Sequence, residues 1–400
     1  MHALQRSTSL AIAWAINSLA YSIVYPFIPI YLHSERQIPM STVGLIFPLM
    51  GLANVLTPPL AGWLTDRVGR HAIMQLGQSL RALIFLLLAF MAYCQAPFWL
   101  FAMLLMCNAG IGVFFQVAAD SYLVDMSSVA ERPKIYGKIR IGTNVGWALG
   151  PMLGAFLART PFPLMFTATA ALCVLGYVYT GRNCPELARH QPTRNVAEAL
   201  QPELGSRELL ANAALLKLLF FSFLLFLLTS QLYSLLSIYA TTVVGISRNV
   251  LGLVYSVNGF TVIFFQLPVT RLLGRLNWHL PSQLVGGAAL YALGYFSLGF
   301  CDSGLKLVVA VFLLTQGEVI VQPSLYTMVS RLVPRSATGR SMATLSLVRG
   351  IGYALGPWIG AMLFQKLSSQ PVALWGTLSL LAVAAAIGFH SMKKTVLKEE

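Results

Sequence analysis

The sequence predicts an all-α membrane protein, with twelve transmembrane helices in two pseudo-symmetric six-helix bundles. Three observations predict it. Of 400 residues, 57% are hydrophobic and only 10% charged, against roughly 25% charged in average soluble domains, so lipid is the solvent that suits the surface. Apolar runs of about 20 residues recur along the chain, and a helix is the spanning form that lets each run satisfy its own backbone hydrogen bonds. Finally, Gly146-Trp147-Ala148-Leu149-Gly150-Pro151-Met152-Leu153-Gly154-Ala155 returns 206 positions later as Gly352-Tyr353-Ala354-Leu355-Gly356-Pro357-Trp358-Ile359-Gly360-Ala361, about half the chain away.

The twelve runs lie at 8–32, 42–64, 72–93, 97–125, 136–158, 163–181, 213–243, 249–270, 281–300, 305–332, 340–364 and 371–391. In helix one, Asn17, Tyr21 and Tyr25 recur every four residues and therefore share a face. Helix two runs into the polar turn Gly62 to His71. Helix three holds Arg81, and helix four holds Asn108, Gln116, Asp120 and Asp125. Helix five carries Gly142, Gly146, Gly150 and Gly154, a smooth ridge against which a neighbour can pack closely. Pro151 lets that ridge bend. Helix six is apolar and is followed by 182–211, the only long polar segment, with Pro185, Pro192 and Pro202. This segment is expected to link a bundle at 1–181 to a bundle at 212–400. Helix seven brings Gln231 and Tyr233, helix eight Tyr255 and Asn258, and helix ten Glu318, Gln322, Pro323 and Tyr326. Helix eleven repeats the ridge with Gly352, Gly356 and Gly360 around Pro357. Helices nine and twelve are plainly apolar. Parallel repeated halves of this kind build transporters with a central site between them.

The net charge of +14 does not point to nucleic acid, because 22 of the 27 Lys and Arg residues fall on one side of the alternating loops. The exceptions are Arg36, Arg159, Arg248, Lys306 and Lys366. The positive-inside rule puts both termini and the central loop in the cytoplasm, and anionic headgroups supply the counter-charge. Arg81, Arg140 and Arg349 are read as cytoplasmic helix-end residues that snorkel to headgroups; if Arg140 or Arg349 faces inward instead, it would pair with Asp120 or Asp125. The five cysteines show no metal spacing; Cys94 and Cys301, both near outward loops, are the conceivable disulfide. No cleavable signal is evident. No catalytic triad, metal-ligand set or phosphate loop occurs in the spans, so no enzyme activity and no cofactor are expected.

Two motifs carry a resemblance. Gly62-x-x-x-Asp66-Arg67-x-Gly69-Arg70 resembles the cytoplasmic loop signature of the major facilitator superfamily, and Gly146-x-x-x-Gly150-Pro151-x-x-Gly154 resembles the helix-five motif of its drug:proton antiporters. Tyr25-Pro26-Phe27 through Tyr31 is similar to the same subgroup. The resemblance covers the whole chain. It implies the major facilitator fold, an inter-bundle latch on the cytoplasmic side made by Asp66 and Arg70 with Asp125, and a Gly-Pro ridge that helps seal the outward-closed gap. Read without the resemblance, the loop is a solvated turn with topogenic charges, and the ridges are either tight packing or the paired faces on which the halves move. The chain departs from the family at one place. An Arg tied to proton transfer stands four residues before a Gly in helix four of the family; here Asn108 stands four before Gly112.

Glu318, near mid-helix ten, is then the first candidate for proton coupling, since a charge at membrane depth costs roughly 2.5–3.5 kcal/mol or more and tends to mark function. Its bland alternative is a carboxyl that locks two helices. Asp120 is the second candidate. Five residues from Asp125, it points to another face, toward cavity or latch. The expected substrate-binding groups are Asn17, Tyr21, Tyr25, Asn108, Gln116, Gln231, Tyr233, Tyr255, Asn258, Gln322 and Tyr326, each of which has interhelical hydrogen bonding as its plainer role. Together they suggest an apolar-aromatic cavity with few fixed charges, able to hold a cation by cation–π attraction. The expected function is secondary active transport by alternating access: proton-coupled efflux of small amphiphilic or drug-like molecules, by a monomer in a bacterial inner membrane. Uptake or lipid flipping on the same fold is the alternative, and a non-transporting membrane sensor is the alternative of another class.

Overall fold

The computed structural model describes residues 2–127, 131–186, 212–276, 278–333 and 338–396. The twelve spanning helices are α1 (Arg6–Glu35), α2 (Met40–Val68), α3 (Arg70–Tyr93), α4 (Phe98–Met126), α5 (Arg132–Leu157), α6 (Phe162–Asn183), α7 (Ala213–Val243), α8 (Arg248–Arg275), α9 (Leu280–Phe300), α10 (Gly304–Arg331), α11 (Thr338–Leu367) and α12 (Pro371–Val396). Eleven are long and apolar enough to cross a membrane by composition alone. The twelfth is α5, whose first turns carry Arg132, Lys134, Lys138 and Arg140. The expected linker lies outside the described residues from position 187 onward.

Local sequence explains many helix ends. Pro39, Pro97 and Pro161 stand as N-caps of their helices, where extended backbone is required and no donor is missed. Asn212 and Ser247 cap α7 and α8 by accepting from the backbone N–H of Leu215 (2.9 Å) and Val250 (3.4 Å). Gly69 separates α2 from α3 at φ 121°, a left-handed conformation that favours glycine, which makes the tight reversal possible.

The halves repeat each other in backbone detail. In α1 the helix tightens at Tyr25–Phe27 and then widens at Tyr31–Glu35; in α7 it tightens at Ser230–Tyr233 and widens at Tyr239–Val243. Such departures within long helices commonly mark hinges or functional segments.

Helices α1, α5, α6, α3, α4 and α2 pack together in one half, and α7, α11, α12, α9, α10 and α8 in the other. Between the halves, α5 meets α8 and α11 meets α2. A Cβ placed on Gly142, Gly146, Gly150 or Gly154 would strike α1 at Ala11, Ala15, Ser22 and Ile23. One on Gly352, Gly356 or Gly360 would strike α7 at Phe226, Ser230 and Gln231. The ridges are therefore packed inside each half, which corrects the expectation that the halves move on them. The halves meet on the next faces of α5 and α11: Ala148 and Ala155 touch Gly259 and Gly252 of α8, and Ala354 and Ala361 touch Gly51 and Gly44 of α2. The glycines that permit this approach come from the opposite half.

All of these inter-half glycines lie toward the end of the bundle away from the chain termini, here called the distal face. On the terminal face Gly62, Gly137, Gly274 and Gly350, on α2, α5, α8 and α11, have open space where a side chain would be. Among the described residues, the close glycine contacts between the halves are all distal.

Candidate functional site

The acid expected to matter most sits in a built assembly. Glu318 of α10 is half-buried, and its Oε2 accepts from Asn258 Nδ2 at 3.0 Å. The same nitrogen reaches Thr315 Oγ1 at 3.0 Å, while Asn258 Oδ1 accepts from the Tyr233 hydroxyl at 2.9 Å. With its oxygen taken by a phenol, the Asn258 amide must present N–H to the carboxylate. Tyr255 stacks on Tyr233 at 5.0 Å.

From Tyr233 the site crosses to the other half. The Trp147 ring of α5 lies 4.8 Å from Tyr233, 5.7 Å from Tyr21 and 6.4 Å from Tyr25, and Tyr21 stacks on Tyr25 at 4.9 Å. A small cavity beside this chain is lined by Tyr21, Tyr25, Met50, Phe85, Leu105 and Asn108, with Val24 and Ile28 behind them. Trp147 was visible in the sequence only as a letter of the repeat. Its signal was the mismatch there, since Tyr353 fills the equivalent place in α11.

Several expected site residues are held by other contacts. Gln231 is fully buried and donates to the carbonyls of Leu227 (2.9 Å) and Gly356 (2.7 Å), so it staples α7 to α11. Asn17 is buried and gives its oxygen to Arg81 of α3. Asn108 also accepts from Arg81, at 3.2 Å. Tyr326 accepts from Arg349 at 2.9 Å. Gln116 and Asp120 are exposed, and Asp120 has no ion pair among the described residues. Gln322 is half-buried.

Arg81 corrects the snorkelling expectation. Arg81 is only 2% exposed and stands mid-helix in α3, so it drops out of the topology tally. The signal was its place near the middle of a run that spans 72–93. Arg140 reaches across the halves to Gln266 Oε1 at 3.3 Å. Arg349 turns to Tyr326; neither pairs with Asp120 or Asp125.

The terminal-face loop is assembled but does not bridge the halves. Arg70 Nε donates to Asp125 Oδ2 at 2.8 Å, its NH2 lies 3.1 Å from Asp66, and NH1 reaches the Thr65 carbonyl at 3.1 Å. Arg67 lies over the Trp63 ring at 5.1 Å. All of these contacts belong to the first half, so none of them joins the two bundles. An ion pair among the described residues that does bridge the halves is distal, and sequence reasoning missed it. Arg248 of α8 contacts Glu35 at 2.7 Å and the Ala158 carbonyl at 2.8 Å, its guanidinium 5.2 Å from the Phe162 ring. Arg159 adds a bond to Asn249 at 2.9 Å. Arg159 and Arg248 were counted in the sequence only as minority charges.

The conceivable disulfide is absent: Cys94 and Cys301 are both free. Cys94 ends α3 of one half while Cys301 follows α9 of the other, and burial pushes the Cys301 thiol up to about 11, which keeps it protonated and unreactive.

The family model described as Major Facilitator Superfamily matches residues 10–357 and again 245–396. Among curated proteins, the chain is 24% identical over 399 residues to the "Multi-drug resistance efflux pump PmrA homolog" of Lactococcus lactis subsp. lactis (strain IL1403), covering 95% of this chain and 93% of the relative. It is 26% identical over 408 residues to "Multidrug resistance protein MdtG" of Klebsiella pneumoniae (strain 342), covering 94% of each. Among solved structures, a bacterial homolog of the human lysosomal transporter Spinster, in an inward-facing and unoccupied conformation, superposes with a TM-score of 0.79 at 15% identity, over 100% of this chain and 98% of that one. These relatives are transporters and not enzymes.

Proposed function

The chain belongs to the major facilitator superfamily, and on that footing we propose that it is a proton-coupled exporter of small amphiphilic or drug-like molecules. The observation that carries this reading is the Glu318–Asn258–Tyr233–Trp147 chain, which ties a membrane-depth carboxyl to the opposite half. Relatives named for multidrug efflux support the direction of transport.

The proposed cycle follows from the donor and acceptor inventory. As a carboxylate, Glu318 is a pure acceptor and holds the Asn258 amide; protonation makes one of its oxygens a donor and weakens that charge-assisted bond. Asn258 then holds Tyr233 less firmly, and Tyr233 is the contact with Trp147. The proton state of one half thereby biases the packing of the other. Asp120, exposed on α4, serves as the second proton-carrying group. The bundles at 1–181 and 212–400 rock against each other, joined by the 182–211 linker, with Gly62, Asp66, Arg67, Gly69, Arg70 and Asp125 closing the terminal face in the alternate state. The asymmetry of Lys and Arg assigns that face and both termini to the cytoplasm of a bacterial inner membrane. The path runs between the halves of a monomer.

The test is substrate-driven proton flux in proteoliposomes. Wild-type protein is expected to move protons against substrate, and Glu318→Gln to bind substrate without proton flux. Unchanged flux in Glu318→Gln would remove Glu318 as the coupling group. Cotransport in the same direction would replace export by uptake, and no flux with any substrate would leave the sensor reading.

A further inference from the structure

The efflux cycle makes no use of Arg81. Its guanidinium is buried in the middle of α3, yet its hydrogen-bond partners are neutral: Nε donates to Asn108 Oδ1 and NH1 to Asn17 Oδ1. No carboxylate pairs with it among the described residues; in the first half Asp66 and Asp125 are taken by Arg70. A buried cation without a counter-charge is costly. Its remaining nitrogen, NH2, is bonded to no described residue.

The cavity in the first half lies against this group. Asn108 and Phe85 line it, and the Phe85 ring lies 6.0 Å from the guanidinium. Because the Asn108 oxygen is held by Arg81, the amide N–H groups are what that side chain can offer the cavity. The cavity thus sets the Asn108 amide among the rings of Tyr21, Tyr25 and Phe85, with the Arg81 cation directly behind that amide, and no carboxylate lines it. We propose that it receives the anionic end of the substrate, which places the cargo among aromatic or amphiphilic organic anions and zwitterions. The cation-binding cavity suggested by composition is the opposite of this. The proposal rests on the transporter reading for its meaning but not for its measurement.

Equilibrium binding is compared for 2-naphthoate, 2-naphthamide and 2-naphthyl-trimethylammonium, matched in ring and different in charge, using purified protein in phosphatidylcholine nanodiscs. Wild type is expected to bind the carboxylate at least about tenfold tighter than the other two, the size of one charge-assisted hydrogen bond. Arg81→Gln is expected to erase that preference. Asn108→Asp gives Arg81 an internal carboxylate, suits the folded state, and is expected to erase the preference too, so it decides the matter if Arg81→Gln does not fold. Equal binding of the three, tightest binding of the ammonium, no binding of any, or a preference that survives Asn108→Asp would overturn the proposal. An anion preference in nanodiscs together with no flux in proteoliposomes would leave the anion site standing and sink the transporter reading instead.

Discussion

The two halves share their scaffolding and differ in their chemistry. In each, a glycine ridge around a proline packs on a helix that tightens and then widens: α5 on α1, and α11 on α7. At the centre of the first half, however, stands Arg81, held by two amide oxygens, and at the centre of the second stands Glu318, held by an amide nitrogen. Asn108 and Asn258 are turned in opposite senses by these charges. Duplication preserved the positions where backbones must approach. The buried charges lie off the repeat, since Glu318 corresponds to Gly112 and Arg81 to Gly287 at the 206-residue offset. A molecule lying between the halves therefore meets two unlike walls.

The shared scaffolding can be broken unequally, and this is the largest stability effect expected. A side chain at Gly154 would meet the Ile23 carbonyl and the Phe27 ring in α1, which cannot swing away, whereas one at Gly360 would meet the flexible end of Gln231. Gly154→Ala should cost about 1–3 kcal/mol by overpacking. Gly360→Ala should cost about 1 kcal/mol, roughly the hydrogen bond Gln231 gives up in moving. Apparent melting in detergent, followed by fluorescence-detected size exclusion, checks the order; equal losses would mean the two ridges are packed alike.

Next in size are the two acids on Arg70. Asp125 is 17% exposed and Asp66 75% exposed at the side chain. Asp125→Asn should lose about 1.5–3 kcal/mol from a charge-assisted bond, and Asp66→Asn about 0.5 kcal/mol or less, because solvent screens it. The same melting assay separates them. A larger effect of Asp66 on transport than on stability would then mark it as the residue of the alternate, terminally closed state.

A small effect is expected at the distal contact as well. A double-mutant cycle on Arg248 and Glu35 should give about 0.5–1 kcal/mol of coupling, as for other partly exposed pairs. Cysteine labelling at Ala155, buried beside Gly252 in this state, should accelerate in Arg248→Gln as the distal face opens more often. Unchanged labelling would remove this pair from the gate.

Much of the fold was legible in the sequence because its causes are local. The α7 run at 213–243 coincides with the helix found, and the reversal at Gly69 needed only a glycine between two apolar runs. The site was legible in part. Glu318, Asn258 and Tyr233 were visible as polar groups at membrane depth, and they do converge. Gln231 was visible in the same way, yet it points at the Gly356 carbonyl. Periodicity places a residue on a face without naming the helix that the face meets. Arg248 carries no local mark and Trp147 only its mismatch with Tyr353 in the repeat, because their roles exist only where the halves touch.

By itself the sequence determined the solvent, the twelve spans, the duplication and the two glycine ridges, since composition, run length and repetition act along the chain. Only the tertiary structure decided that the ridges pack within each half, that the arginine of α3 lies buried beside a cavity, and that the halves meet through distal glycines. Those are facts about which surfaces of different helices meet, and at membrane depth the pairing of a charge depends on neighbours far away in the sequence.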